Sequence, residues 1–236
     1  KIYQLKYAGF EFTNNTNCIN IKAHMSKLSL KLQKKALQEM AHSKPYSKKL
    51  AGFQYSVLPK VYKGSTDTEL FCEILDIKKG QSLWDIGTGT GLIALQAKKN
   101  GANYVLATDL NPHAIKNARE NSKLLGLEID IKKANVFGNI RNRFDIITFN
   151  PPFTDKKTQR VHDISFWDED NKTVKRFLKD INRHLKLKGY AFIAWSSFAN
   201  TRKLKNLAEK YDISIDEIAR RKGKNGFIYY IFNIIL

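Results

Sequence analysis

The sequence predicts an α/β protein built on an open, mostly parallel sheet covered by helices on both faces, with a small α+β appendage in front. Three observations predict it. From residue 66 onward, apolar strand-like runs alternate with helix-length segments, the pattern of parallel strands joined by crossover helices. The run Leu83-Trp84-Asp85-Ile86-Gly87-Thr88-Gly89-Thr90-Gly91 places a glycine turn between one such strand and one such helix. The last two apolar runs flank Lys222-Gly223-Lys224-Asn225-Gly226, so they pair as an antiparallel hairpin.

The chain divides near residue 60, where Leu58-Pro59-Lys60 and Lys63-Gly64-Ser65-Thr66-Asp67 interrupt the pattern. Residues 1–60 form the appendage and residues 61–236 the main domain. In the appendage, alternation at Phe10 to Phe12 and at Ile19 to Ala23, around Thr13-Asn14-Asn15-Thr16-Asn17, predicts a small hairpin. Ser26 is the expected cap of a helix over Lys27 to Ala41, whose Leu30, Leu37, Met40 and Ala41 share a face opposite lysines. The appendage serves either packing or substrate recruitment. In the main domain, strands are predicted at 81–86, 104–109, 128–133, 144–149 and 189–195, and helices at 66–76, 91–99, 112–125, 171–186 and 200–210. The closing hairpin, 213–220 with 227–234, brings the sheet to seven strands.

A chain of 236 residues that is 42% hydrophobic can bury one substantial core. No apolar run approaches the roughly 18 residues that span a bilayer, and Lys1 to Tyr7 lacks the features of a secretory signal. The expectation is a soluble, cytoplasmic protein without a membrane partner; nothing in the sequence specifies an oligomeric state. Cys18 and Cys72 have no CxxC spacing, so reduced thiols are expected, with Cys72 in a core helix. A formal charge of +19 favours polyanions, and RNA is the first candidate. The same lysine, asparagine and isoleucine richness also follows from an AT-rich coding bias.

The glycine spacing narrows the chemistry. A dinucleotide fingerprint is GxGxxG; here it is GxGxG, with Leu92 where the third glycine would stand. Bare glycines let a ligand approach the backbone, and Asp85 can reach a ligand ammonium or hold the loop. Asp109, ending the next strand in Ala107-Thr108-Asp109-Leu110-Asn111-Pro112, can accept both hydroxyls of a ribose. The five histidines show no HxxxH or HExxH spacing, so no metal site is expected.

Residues 57–236 resemble a class I S-adenosylmethionine (SAM)-dependent methyltransferase of the small-domain group that includes HemK and the ribosomal RNA guanine-N2 enzymes. The resemblance runs through Val61 to Leu70, the glycine motif, Ala107 to Ala114, Ala134-Asn135-Val136-Phe137 and Asn150-Pro151-Pro152-Phe153. It implies a Rossmann-like methyltransferase fold and a cofactor site of Asp85, Gly87, Thr88, Gly89, Gly91, Asp109, Leu110, Asn135, Val136 and Asn150. In that site the glycines line the methionine part, Asp109 holds the ribose, and Asn135 with Val136 borders the adenine. The group often has aspartate where Asn135 stands.

The Asn150-Pro151-Pro152-Phe153 turn states its chemistry directly. An amide nitrogen or an exocyclic amine has a delocalised lone pair and is a poor nucleophile. The Asn150 carboxamide oxygen and the Pro151 carbonyl can accept both hydrogens of such an NH2, aiming its lone pair at the sulfonium methyl. Prolines stiffen the turn, and Phe153 offers a face for a planar group. Because the sulfonium is already activated, positioning supplies much of the rate without a strong base. Asn150, Pro151 and Phe153 are therefore the expected catalytic set. Thr66, Asp67, Pro152, Phe153 and Trp167 are the expected substrate contacts, with Thr154 to Asp170 as a candidate lid. His162 within that lid is read as solvated.

The leading expectation is an N-methyltransferase acting on an exocyclic amine of an RNA base, ribosomal or transfer. A HemK-type glutamine methyltransferase acting on a protein release factor is the alternative. HemK proteins usually carry tyrosine where Phe153 stands, while the Asn135-Val136-Phe137 run and the basic charge lean toward RNA. A small-molecule methyltransferase, for which a folded front part closing over a compact pocket is expected, a non-catalytic SAM-binding module and a dehydrogenase are the remaining readings.

Overall fold

The computed structural model describes residues 15–236, with side chains from residue 26. Its elements are α1 (Asn15–His42), β1 (Tyr46–Leu50), β2 (Phe53–Val57), α2 (Thr66–Ile74), β3 (Ser82–Ile86), α3 (Leu92–Lys99), β4 (Tyr104–Asp109), α4 (Pro112–Leu125), β5 (Asp130–Lys133), β6 (Phe144–Phe149), α5 (Lys172–Asp180), β7 (Leu185–Ser196), α6 (Thr201–Glu209), β8 (Ser214–Lys222) and β9 (Ile228–Ile235).

Seven strands form one sheet in the order β5-β4-β3-β6-β7-β9-β8. The first five in that order run parallel, and β9 pairs antiparallel with both β7 and β8. The order reverses between β3 and β6, and ligands bind such sheets where strand order reverses. The carboxyl ends of β3, β4 and β6 therefore place Gly87, Asp109 and Asn150 around one crevice. Central strands covered on both faces read as continuous apolar runs, and β3 is buried at all five positions. Trp84 anchors one face: its Nε1 donates to Thr108 Oγ1 (2.9 Å), and its ring meets those of Phe137, Phe144 and His184.

Three sequence expectations change. The strand at Ile19 to Ala23 falls inside α1, and its partner at Phe10 to Phe12 lies outside the described residues. A five-residue alternation is too short to separate strand from helix, and no Gly or Pro interrupts residues 15–42. For the same reason Ser26 caps nothing: the helix runs through it. The inward face of α1 is Ser29, Gln33, Leu37 and Met40, and Leu30 is only half-buried. The helix expected to reach residue 186 stops at Asp180, followed by a 3-10 turn at Ile181–Arg183. Strand β7 then starts at Leu185 with a bulge, as the pairing jumps from Phe144↔Leu185 to Ile146↔Tyr190. Gly189 sits in that bulge where a Cβ would lie 3.0 Å from the Asp145 and Lys186 carbonyl oxygens, too close for any side chain.

The front part carries its hairpin further along than expected, as β1 with β2. It is fastened to α4 by two buried asparagines: Asn117 Oδ1 accepts from Leu58 N–H and Asn121 Oδ1 from Ser56 N–H, both at 2.8 Å. Both amides donate back to the Ser56 carbonyl. Cys72 is buried in α2, and burial pushes its thiol up to about 12. Among the described residues no helix is long and apolar enough to cross a membrane.

Candidate active site

Two cavities meet at the carboxyl edge of the sheet. One, of about 330 Å³, lies over the glycine turn and the ends of β3 and β4. The other, of about 410 Å³, is walled by α1, the segment Tyr62 to Asp67, the Asn150 turn and the end of the closing hairpin at Asn225 to Tyr229. Tyr62, Asn150 and Ser165 line both. The Asn-Pro-Pro-Phe turn is divided between them: Pro152 faces the first, and Pro151 with Phe153 the second.

The first cavity is floored by backbone. Gly87 (φ 69°) and Gly89 (φ 57°) adopt the left-handed conformation that suits glycine. A Cβ on Gly87 would meet only Phe149 Cε2 and Asn150 O, at 3.8 and 3.9 Å. Thr88 lines the cavity, and its hydroxyl donates to Asp85 Oδ2 (2.6 Å). Asp109 ends β4 facing the cavity, where its carboxylate accepts from Gly89 N–H (2.9 Å) and Asn111 N–H (2.8 Å). Burial raises its pKa against those donors. Leu110, Asn135 and Val136 complete this side. Val136 holds φ 55°, which strains a β-branched residue, while its side chain is 4% exposed in the core. Val136 thus borders the cavity while its side chain stays in the core.

Two expected cofactor contacts serve the site from behind the cavity wall. Asp85, 1% exposed, accepts from the Thr88 and Thr148 hydroxyls and does not line either cavity. Burial pushes its carboxyl up to about 7. Gly91 (φ 88°) precedes α3 and packs on α4, where a Cβ would lie 3.2 Å from Ala118 Cβ. It permits a close helix approach.

At the junction of the cavities, Asn150 Nδ2 donates to Asp67 Oδ2 (2.9 Å). A carboxylate can only accept, so this bond fixes which end of the Asn150 amide faces Asp67. Asn150 Oδ1 is then left buried and without a partner. Asp67, 2% exposed, is held by Ser65 Oγ (2.7 Å), Tyr62 OH (3.1 Å) and Thr68 N–H (2.9 Å). Burial, then Asp67, raises the Tyr62 hydroxyl far above its ordinary value, so it donates to that carboxylate throughout the physiological range. Phe153 is braced edge-on by Trp195 and Phe198, with ring centroids 5.7 and 5.8 Å away. Tyr62 meets Phe166 edge-to-face at 5.4 Å.

Of the expected substrate contacts, Asp67 and Phe153 line the second cavity, while Pro152 and Trp167 line the first. Thr66 lines neither; its hydroxyl would lie 3.2 Å from a Cβ on Gly223, at the turn of the closing hairpin. His162 is buried rather than solvated, with Nε2 unpartnered. Sequence reasoning missed Tyr62, Gln33, Phe166 and Tyr229. Tyr62 lies within the stretch that carries the family resemblance and Phe166 within the candidate lid, beside Trp167; Gln33 and Tyr229 belong to elements with no motif.

A family model described as the methyltransferase small domain matches residues 61–223. The chain belongs to this family. It is a SAM-dependent methyltransferase, and the first cavity fits that cofactor: a bare backbone floor at Gly87 and Gly89 beside an inward carboxylate at Asp109. A Methanocaldococcus jannaschii protein named as a protein N5-glutamine methyltransferase is 32% identical over 175 residues, covering 70% of this chain and 89% of the relative. The release factor glutamine methyltransferase of Streptococcus pneumoniae is 31% identical over 157 residues, 60% of this chain and 56% of that protein. Among solved structures, this methyltransferase superposes on the T. thermophilus 16S ribosomal RNA guanine-N2 methyltransferase, bound to SAM and guanosine, with a TM-score of 0.62. That likeness, at 19% identity over 80% of this chain and 49% of the other, is one of fold.

Proposed function

We propose that the protein transfers a methyl group from SAM to a planar NH2, with the exocyclic amine of an RNA base as the acceptor. The observation that carries the nitrogen is the free, buried Asn150 Oδ1 at the junction of the two cavities. An unpaired buried acceptor costs about 1–3 kcal/mol, which an incoming N–H donor would relieve. Bound in the first cavity, the cofactor supplies an electrophilic methyl on a sulfonium. Glycines 87 and 89 would give it backbone access, Asp109 would meet its ribose, and Asn135 with Val136 would border its adenine. Asn150 Oδ1 accepts one N–H of the acceptor, and Phe153 presents a ring to its plane. Asp67 keeps the amide from flipping. Transfer would break the sulfonium C–S bond and leave S-adenosylhomocysteine, and the methylated nitrogen, made acidic, would release its proton to solvent, so no strong base is needed.

A base is favoured by the setting. Phe153, Phe166 and Tyr62 surround the second cavity, whose size suits a ring with part of its sugar, and the formal charge of +19 suits an RNA backbone outside it. The acceptor wall includes α1, which gives residues 15–60 a role in substrate recruitment. The glutamine of a release factor is the second reading, favoured by the 32% identity to the archaeal glutamine enzyme. Enclosure by α1 also suits a compact small molecule. Labelled methyl transfer from SAM into cytoplasmic extract of a deletion strain separates the three. Label released by nuclease supports the RNA reading; label released only by protease, or found in the low-mass filtrate, overturns it.

A further inference from the structure

We propose that Gln33 on α1 is a positioning residue that couples the wall of the acceptor cavity to the wall of the cofactor cavity. Gln33 is 6% exposed and its carboxamide is engaged at both ends: Oε1 accepts from Trp167 Nε1 (3.0 Å), while Nε2 donates to Thr154 Oγ1 (2.8 Å) and Ser29 Oγ (3.0 Å). Gln33 lines the acceptor cavity and Trp167 the cofactor cavity. Thr154 directly follows Phe153, and it is tied to the Trp167 segment by Thr154 N–H to Phe166 O (3.2 Å) and Asp168 N–H to Thr154 O (2.9 Å). One side chain from outside the sheet thus grips both ends of the segment that leaves the methyl-transfer turn and returns over the cofactor.

The anchorage of α1 explains why this grip is the part that yields. Its last two turns are held by buried Leu37 and Met40 and by Lys60 N–H donating to the Met40 carbonyl (2.8 Å). Over residues 28–33, Leu28 and Leu32 are exposed, Leu30 is half-buried, and the buried side chains are the polar Ser29 and Gln33. Hydrogen bonds exchange with water at small net cost, whereas buried leucine and methionine do not. The Ser29 to Ala36 turns of α1 therefore loosen to admit an acceptor, and the clasp re-forms when Trp167 is seated against the cofactor cavity. Linkage makes the effect reciprocal: a ligand that orders Trp167 strengthens docking of α1.

This coupling rests on the cofactor reading of the first cavity, and amide hydrogen exchange of the full chain with S-adenosylhomocysteine tests the two apart. In the parent protein the ligand is expected to slow exchange at residues 87–91, and at least about five-fold at residues 29–36. Gln33→Met, checked for cooperative melting, is expected to keep the first protection and lose the second. Trp167→Phe, whose ring lines the cofactor cavity, is read at a ligand concentration that saturates that variant and is expected to lose the second protection as well. The paired variant should lose no more than either alone. Protection of residues 29–36 that persists in both variants, or that is missing in the parent while residues 87–91 are protected, overturns the coupling. No protection at residues 87–91 overturns the cofactor reading beneath it.

Discussion

Asn150 and Asp67, 83 residues apart in sequence, meet at 2.9 Å, and that contact decides which face of the Asn150 amide is available. The asparagine directly follows β6 and the aspartate lies in the first turn of α2, so the bond also joins the Asn-Pro-Pro-Phe turn to that helix. Replacing Asn150 with alanine removes the acceptor oxygen. Methyl transfer should fall about 10²–10³-fold, the range for one preorganised hydrogen-bonding group. SAM affinity measured by calorimetry should change little. An active Asn150→Ala enzyme would refute the acceptor role.

Asp67→Asn tests the orienting role. The new amide can donate to Asn150 Oδ1 and lets the Asn150 amide flip. The expected result is a roughly ten-fold drop in kcat with KM for SAM unchanged. The double variant Asp67→Asn/Asn150→Ala should be no slower than Asn150→Ala alone, since both changes act through one group. Additive losses would show that Asp67 works independently.

Asp109 holds the loop, and we propose that it also holds the ligand. Its carboxylate holds the Gly89 and Asn111 amides, and two ribose hydroxyls would complete its acceptor capacity. Asp109→Ala should weaken SAM binding on the order of 100-fold, two good charge-assisted bonds being lost. Titration calorimetry on a variant that still melts cooperatively would read it; unchanged affinity would remove Asp109 from the cofactor site.

The glycines separate by what an added methyl meets. At Gly91 a Cβ would press on Ala118 at 3.2 Å with φ 88°, so Gly91→Ala should lower stability by about 2 kcal/mol in urea unfolding. At Gly89 the nearest atom is Tyr62 O at 3.7 Å, with φ 57°. There the smaller strain should leave folding cooperative while SAM affinity falls. The reverse ranking of the two stabilities would contradict the packing role of Gly91.

Asp85 gives the fold a pH dependence of known sign. Its carboxyl titrates near 7 when folded, chiefly because burial disfavours the charge, against 3.8 as the ordinary value. The folded state therefore holds the proton more tightly, and this contribution to stability is full below about pH 4 and fades as pH rises through 7. Asp85→Asn keeps partners for the Thr88 and Thr148 hydroxyls without the ionisation. Its melting temperature should fall less than the parent's between pH 4 and 8, with an advantage on the order of 1–4 kcal/mol at pH 8. Parallel curves would show that Asp85 does not titrate in this range.

Local signals made most of the sheet domain legible. Leu83 to Gly91 announced a strand, a glycine turn and a helix, and Asn111-Pro112 started α4 where the structure starts it, because caps, prolines and glycines act on neighbouring residues. The front part was less legible. Ile19 to Ala23 carries both periods, and the β1–β2 hairpin has no strong turn signal beyond Ala51-Gly52; its place is set by Asn117 and Asn121, more than 50 residues downstream.

The sequence by itself determined the sheet architecture, the glycine floor of the cofactor cavity and the place of Asn150 in its Asn-Pro-Pro-Phe turn, since each depends on a short run with its own conformational demand. Only the tertiary structure decided that Asp85 and Gly91 stand behind the cavity, that Trp167 faces the cofactor side, and that α1 walls the acceptor side through Gln33. Those assignments rest on contacts between residues far apart in the chain, where burial and the directionality of donors and acceptors choose among side chains that a linear reading leaves equivalent.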